Sequence, residues 1–92
     1  MMKSTILLIG GAGFIGSNLI SSFIKEGKYK IIVFENEGAD LKRLDIHRDQ
    51  IEVITGDMAD SSFFVYIIEQ FKVSIVIHLV STLLPHSSLD DY

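Results

Sequence analysis

An α/β fold, a doubly wound parallel sheet with helices packed against it, is predicted by three features of this sequence. Short apolar runs recur at residues 6–9, 31–34, 51–54 and 74–80, with little of the alternation that marks a half-exposed strand. Such runs suit strands covered on both faces. Segments with apolar residues at helical spacing separate the first run from the second and the third from the fourth. A glycine cluster, Gly10, Gly11, Gly13 and Gly16, stands where the first run gives way to the first helix. Right-handed crossovers then leave the strand order 3-2-1-4 as the expected arrangement.

The first strand is Ile6, Leu7, Leu8 and Ile9, too short for a helix and stopped by Gly10 and Gly11. Beyond the turn, Ile15, Leu19 and Phe23 recur every four residues beside Gly16, Ile20 and Ile24, and the two ridges predict one apolar helix face against the sheet. Gly27, after Lys25 and Glu26, is placed to close that helix in the left-handed conformation. The second strand, Ile31 to Phe34, is led in by Tyr29 and Lys30 and ends at Glu35.

The glycines fit the dinucleotide-binding fingerprint in two overlapping ways, as GxGxxG through Gly11, Gly13 and Gly16 or as GxxGxxG through Gly10, Gly13 and Gly16. The first glycine permits the tight turn, Gly13 lets backbone approach a pyrophosphate, and Gly16 allows close packing of the helix. The free N–H groups at the helix start, at Phe14, Ile15 and Gly16, then face the phosphates. A ligand-free glycine turn is the bland alternative. Glu35, nineteen positions after Gly16, argues against it, because an acid at about this spacing accepts hydrogen bonds from the adenosine ribose. Glu35 and the adjoining Asn36 are therefore expected at the cofactor. Glu35 and Glu37 would repel the extra phosphate of NADP, and no arginine directly follows the strand, so NAD is the expected cofactor; Lys42 and Arg43 are the first cations after the strand.

GGAGFIG after an apolar strand resembles the extended short-chain dehydrogenase/reductase family, largely NAD-dependent epimerases and dehydratases of nucleotide sugars. The family usually has Thr before the paired glycines, where this chain has Ile9, and commonly Asp where it has Glu35. The resemblance implies a Rossmann-type fold and extends to the third strand, Ile51, Val53 and Ile54, which runs into GDMAD. There it implies that Asp57 bonds the adenine amino group and that Met58 touches the ring. Read without the resemblance, Asp57 closes a turn and Asp60 caps the next helix, the role favoured for Asp60. The fourth run, IVIHLV, resembles the family's strand beside the cofactor, implying contacts from Leu79, Val80 and Ser81, with Val80 and Ser81 where the family commonly has two alanines.

Other chemistry-bearing residues read as structural. Phe63, Phe64, Ile67, Ile68 and Phe71 form a helical stripe suited to a core. Leu41 and Leu44 mark a weakly amphipathic segment with solvated charges. His47 among Asp45, Arg48 and Asp49 has no metal-ligand spacing, and His78 inside an apolar strand reads as a buried, satisfied histidine.

A net charge of -4 with scattered lysines and arginines offers no footprint for nucleic acid. The absence of cysteine excludes disulfides and thiolate metal sites. N-terminal apolar runs of four residues are too short for a signal-peptide core or a membrane span, and the expected location is cytoplasmic. The 92 residues make one small domain.

The family's chemistry uses a Tyr with a Lys four residues later, and none of Tyr29, Tyr66 or Tyr92 has that partner. The resemblance thus implies that residues 1–92 are the N-terminal NAD-binding portion, inactive alone, with the catalytic and sugar-binding parts absent. A stand-alone dinucleotide-binding module, an inactive remnant, or a structural protein that binds nothing are the other readings. Further strands of the family pair beyond the fourth; without them that strand is an exposed apolar edge, expected to promote self-association.

Overall fold

The structure, a computed structural model, describes residues 3–79. Its elements follow as β1 (Ser4–Ile9), α1 (Phe14–Glu26), β2 (Tyr29–Asn36), a 3-10 helix (Lys42–His47), β3 (Glu52–Gly56), α2 (Ser61–Phe71) and β4 (Ile75–His78). The strands form one parallel sheet in the order β3-β2-β1-β4. β1 is central, in register with β2 from Ser4 opposite Tyr29 to Ile9 opposite Phe34, and with β4 from Ile6 opposite Ile75 to Ile9 opposite His78.

The central strands are unbroken apolar runs at residues 6–9 and 31–34 because helices cover both faces. Ile6, Leu8, Ile31 and Val33 pack with Ile20 of α1 and Leu44 of the 3-10 helix. Leu7, Ile9, Ile32 and Phe34 turn the other way, onto Ile67 of α2 and its partly buried neighbours Phe63, Phe64, Ile68 and Phe71. Fully burying one such side chain is worth about 1.5–3 kcal/mol. These two layers therefore hold the strand ends in place for whatever binds above them.

Both helices stop on left-handed residues. Gly27 closes α1 at φ 68°, as its sequence position predicts, whereas α2 ends on Lys72 at φ 53°, where the side chain makes that conformation unfavourable. At the start of α2 the Asp60 carboxylate accepts from the Ser62 and Phe63 backbone N–H groups, the capping role read from the sequence.

Two placements differ from expectation. Ile15 is 69% exposed rather than packed on the sheet, because the first turn of α1 stands beyond the strand ends and has no sheet beneath it. His78 is exposed, not buried, because β4 is an edge strand, with Ile75 and Val76 also exposed. Backbone pairing with β1 continues past the assigned strand, from the Ser74 N–H to the Thr5 carbonyl and from the Leu79 N–H to the Ile9 carbonyl.

Candidate functional site

The turn between β1 and α1 is built from small residues with distinct duties. Gly10 sits at φ 82° and donates its N–H to the Phe34 carbonyl at 2.9 Å, which carries the chain across the end of β2. A Cβ on Gly16 would lie 2.6 Å from the Gly11 carbonyl carbon, so α1 can begin this close to the loop only with glycine there. Gly13 is different. It has ordinary extended dihedrals, φ −78° and ψ −175°, and a Cβ built on it meets nothing within 4 Å. Among the described residues no contact requires glycine at 13, and the space over it is open.

That space faces the start of α1. Gly13 caps the helix without a side-chain hydrogen bond, and the first turn holds no acidic residue. The first N–H groups of a helix have no intrahelical acceptor, so those of Phe14, Ile15 and Gly16 point with the helix dipole toward a position suited to an anion.

Glu35 closes the other side. It is buried, and its Oε2 accepts from the Ala12 N–H at 2.7 Å, which ties the end of β2 to the glycine turn. One carboxylate oxygen remains for another donor. Asn36 beside it accepts through Oδ1 from the Met58 N–H at 3.1 Å and so joins β2 to the turn after β3. In that turn Asp57 accepts through Oδ1 from the Ala59 N–H at 2.9 Å, its exposed carboxylate keeping a second oxygen, while Met58 is partly buried against the α2 side of the core. A cavity of about 330 Å³ opens here between Ile9, Phe34, Met58, Phe64, Val76 and His78.

Of the residues singled out in the sequence, Gly10, Gly13, Phe14, Ile15, Gly16, Glu35, Asn36, Asp57 and Met58 gather at the C-terminal ends of β1, β2 and β3. Leu79 follows β4 at the same end, with its side chain packed toward the α1 layer. Val80 and Ser81 lie outside the described residues. A larger hollow, about 590 Å³, sits at the opposite end of the sheet beside Lys3, Lys30 and Lys72. Ligands of open parallel sheets bind at the carboxyl ends of the strands, the end at which the smaller space lies.

Three participants were not legible. Ala12 reads as a spacer between glycines, yet it makes the bond to Glu35. Ser17 donates through Oγ to the Arg43 carbonyl at 3.2 Å, and the Arg43 guanidinium lies 6.0 Å from the centre of the Phe14 ring. Nothing in the sequence signals either contact, since both span the separate β2–β3 connection. Away from the site, His47 is buried and its Nε2 is 3.1 Å from the Ser21 Oγ, a bond that docks the 3-10 helix on α1. Among the described residues no group of three or more His, Asp or Glu is arranged to hold a metal ion, and no helix is long and apolar enough to cross a membrane.

The sequence model of the NAD dependent epimerase/dehydratase family matches residues 6–91. The chain belongs to this family. Among curated relatives, the dTDP-D-glucose 4,6-dehydratases of Homo sapiens and Bos taurus are each 35% identical over 81 residues, which is 83% of this chain and 23% of theirs. Among solved structures, a dTDP-glucose 4,6-dehydratase from Bacillus anthracis in complex with NAD matches with a TM-score of 0.77 at 25% identity, over 85% of this chain and 27% of that one. WbmG of Bordetella bronchiseptica in complex with NAD and UDP matches with a TM-score of 0.72 at 29% identity, over 98% of this chain and 29% of its own. The chain thus spans 23% of the length of the curated relatives it matches.

Proposed function

We propose that this chain binds NAD across the carboxyl ends of β1, β2 and β3, and that it is the cofactor-binding portion of a nucleotide-sugar epimerase or dehydratase. The observation that carries the reading is the open space over Gly13 at the uncapped start of α1, with the Glu35 carboxylate beside it. The residues fit the cofactor. Gly13 admits a pyrophosphate, and the Phe14, Ile15 and Gly16 N–H groups donate to it. The Glu35 oxygen not used by Ala12 accepts from a ribose hydroxyl. Asn36 holds the Met58 backbone in place, so that the Met58 side chain borders the adenine while the second Asp57 oxygen takes its amino group. The resemblance of IVIHLV to the family's fourth strand assigns Leu79, Val80 and Ser81 to the nicotinamide half.

Bound NAD supplies a hydride acceptor for the sugar. The protein's part in this stretch is to bind and orient the cofactor.

Calorimetric titration of the chain with NAD and with ADP-ribose tests the placement. Submillimolar binding of both is expected, and Gly13→Val should abolish it while the circular dichroism spectrum is unchanged. Failure of NAD to bind, or a Gly13→Val variant with wild-type affinity, overturns the placement.

A further inference from the structure

We propose that the hollow at the amino end of the sheet, opposite the glycine turn, is a second ligand site that takes the phosphate chain of a small oligophosphate. The hollow measures about 590 Å³ and is bordered by Lys3, Lys30 and Lys72 together with Thr5, Phe71 and Ser74. That volume suits a small molecule, for which sites run from about 300 to 1,000 Å³. Among the described residues no acid borders it. Asp49 and Glu52 border the adjoining hollow of about 220 Å³, which shares Lys30 and Gln50 with this one.

The fold brings these cations together from three separate segments. The register of β1 and β2 sets Thr5 opposite Lys30, and strand alternation turns both toward the side of Leu7 and Ile32, which α2 covers. There the Lys30 Nζ stands 5.3 Å from the centre of the Phe71 ring, and Lys72 follows Phe71 at the end of α2. Lys72 holds φ 53°, a conformation for which the helix end by itself favours glycine. The last carbonyls of α2 would repel an anion, but they are engaged: Glu69 accepts from the Lys72 N–H at 3.4 Å and Ile68 from the Val73 N–H at 3.0 Å. Thr5 adds a donor. It is 7% exposed, and its carbonyl accepts from the Ser74 N–H and Oγ, while its hydroxyl bonds no group among the described residues. A buried hydroxyl left unbonded is unfavourable, and a phosphate oxygen in the hollow supplies its acceptor. Lysine ammonium groups on flexible stems act as point charges, which suits a chain of several phosphates.

Calorimetric titration of the chain with inorganic tripolyphosphate and with CTP, which carries the same phosphate chain on a nucleoside, tests this. Submillimolar binding is expected at low salt, weakening by about tenfold or more between about 20 and 200 mM salt. Tighter binding of CTP identifies a nucleotide as the source of the phosphates, and tighter binding of tripolyphosphate an inorganic one. Lys30→Gln and Lys72→Gly should each weaken tripolyphosphate by about three- to tenfold, and Lys72→Gly should not harm the fold, because glycine adopts the left-handed cap readily. Lys42→Gln removes the same charge outside the hollow and should change the affinity by less than about twofold. Three results overturn the proposal: no binding of tripolyphosphate by the wild-type chain, wild-type affinity in both Lys30→Gln and Lys72→Gly, or abolition of tripolyphosphate binding by Gly13→Val, which assigns the anion to the start of α1. Loss of NAD binding leaves this site untouched, since the two lie at opposite ends of the sheet.

Discussion

The Glu35 carboxylate and the Ala12 backbone N–H, twenty-three residues apart in sequence, are joined by a 2.7 Å hydrogen bond at the carboxyl end of the sheet. The bond makes Glu35 a structural member of the glycine turn. Glu35→Ala leaves the buried Ala12 donor without that acceptor and is expected to lower stability by about 1–3 kcal/mol. Glu35→Gln keeps an acceptor of similar reach and should lose about 1 kcal/mol or less. Urea denaturation followed by circular dichroism separates the two. An alanine variant as stable as the wild type would show that the turn holds itself.

Gly13 and Gly16 belong to one fingerprint but carry opposite expectations. Gly13→Ala places its methyl in open space at ordinary dihedrals, so stability should stay within about 0.5–1 kcal/mol of wild type, while NAD affinity falls. Gly16→Ala drives a methyl into the Gly11 carbonyl and should cost about 1–3 kcal/mol whether or not NAD is present. Thermal melts with and without NAD read both effects. Equal destabilisation by the two substitutions would contradict the separation of a ligand glycine from a packing glycine.

Asp57 and Asp60 form a similar pair. Asp60 accepts two N–H groups at the start of α2, and Asp60→Ala should cost about 1 kcal/mol without touching NAD affinity. Asp57 accepts one N–H within the turn and is exposed, so Asp57→Ala should disturb stability less and NAD binding more. Chemical denaturation and NAD titration on both variants check the assignment; interchange of the two phenotypes would reverse it.

How much of this was legible follows from the range of each interaction. The strands were legible because burial on both faces leaves unbroken apolar runs such as Leu7 beside Leu8 and Ile32 beside Val33. Gly27 and Asp60 were legible because a helix end is a local affair. The inward bond of Glu35 was not, since it exists only when β1 and β2 end in register, Ile9 opposite Phe34. Nor was the exposure of Ile15, because helical periodicity gives a face but not where the sheet beneath it stops. His78 was misplaced for a related reason: an apolar strand reads the same at the centre of a sheet as at its edge. Gly56 looked like part of a turn signal, whereas a Cβ there would lie 2.7 Å from the Phe63 ring, a contact across the β3–α2 connection.

The edge itself carries the remaining prediction. β4 pairs with β1 on one side, and among the described residues its other side pairs with nothing, while Ile75 and Val76 are 38% and 45% exposed. A flat apolar edge with unpaired backbone donors and acceptors is a template for another strand. We therefore expect the 92-residue chain to self-associate in a concentration-dependent way through β4, as read by light scattering coupled to size exclusion. Val76→Lys should shift the population toward monomer, because a lysine at an edge must lose hydration when a second strand docks, yet at this exposed position it disturbs the existing β1 pairing little. NAD should leave the association unchanged if its site is at the strand ends and the contact runs along the strand. A wild-type chain that remains monomeric at high concentration, or a Val76→Lys variant that associates as the wild type does, would remove β4 as the contact.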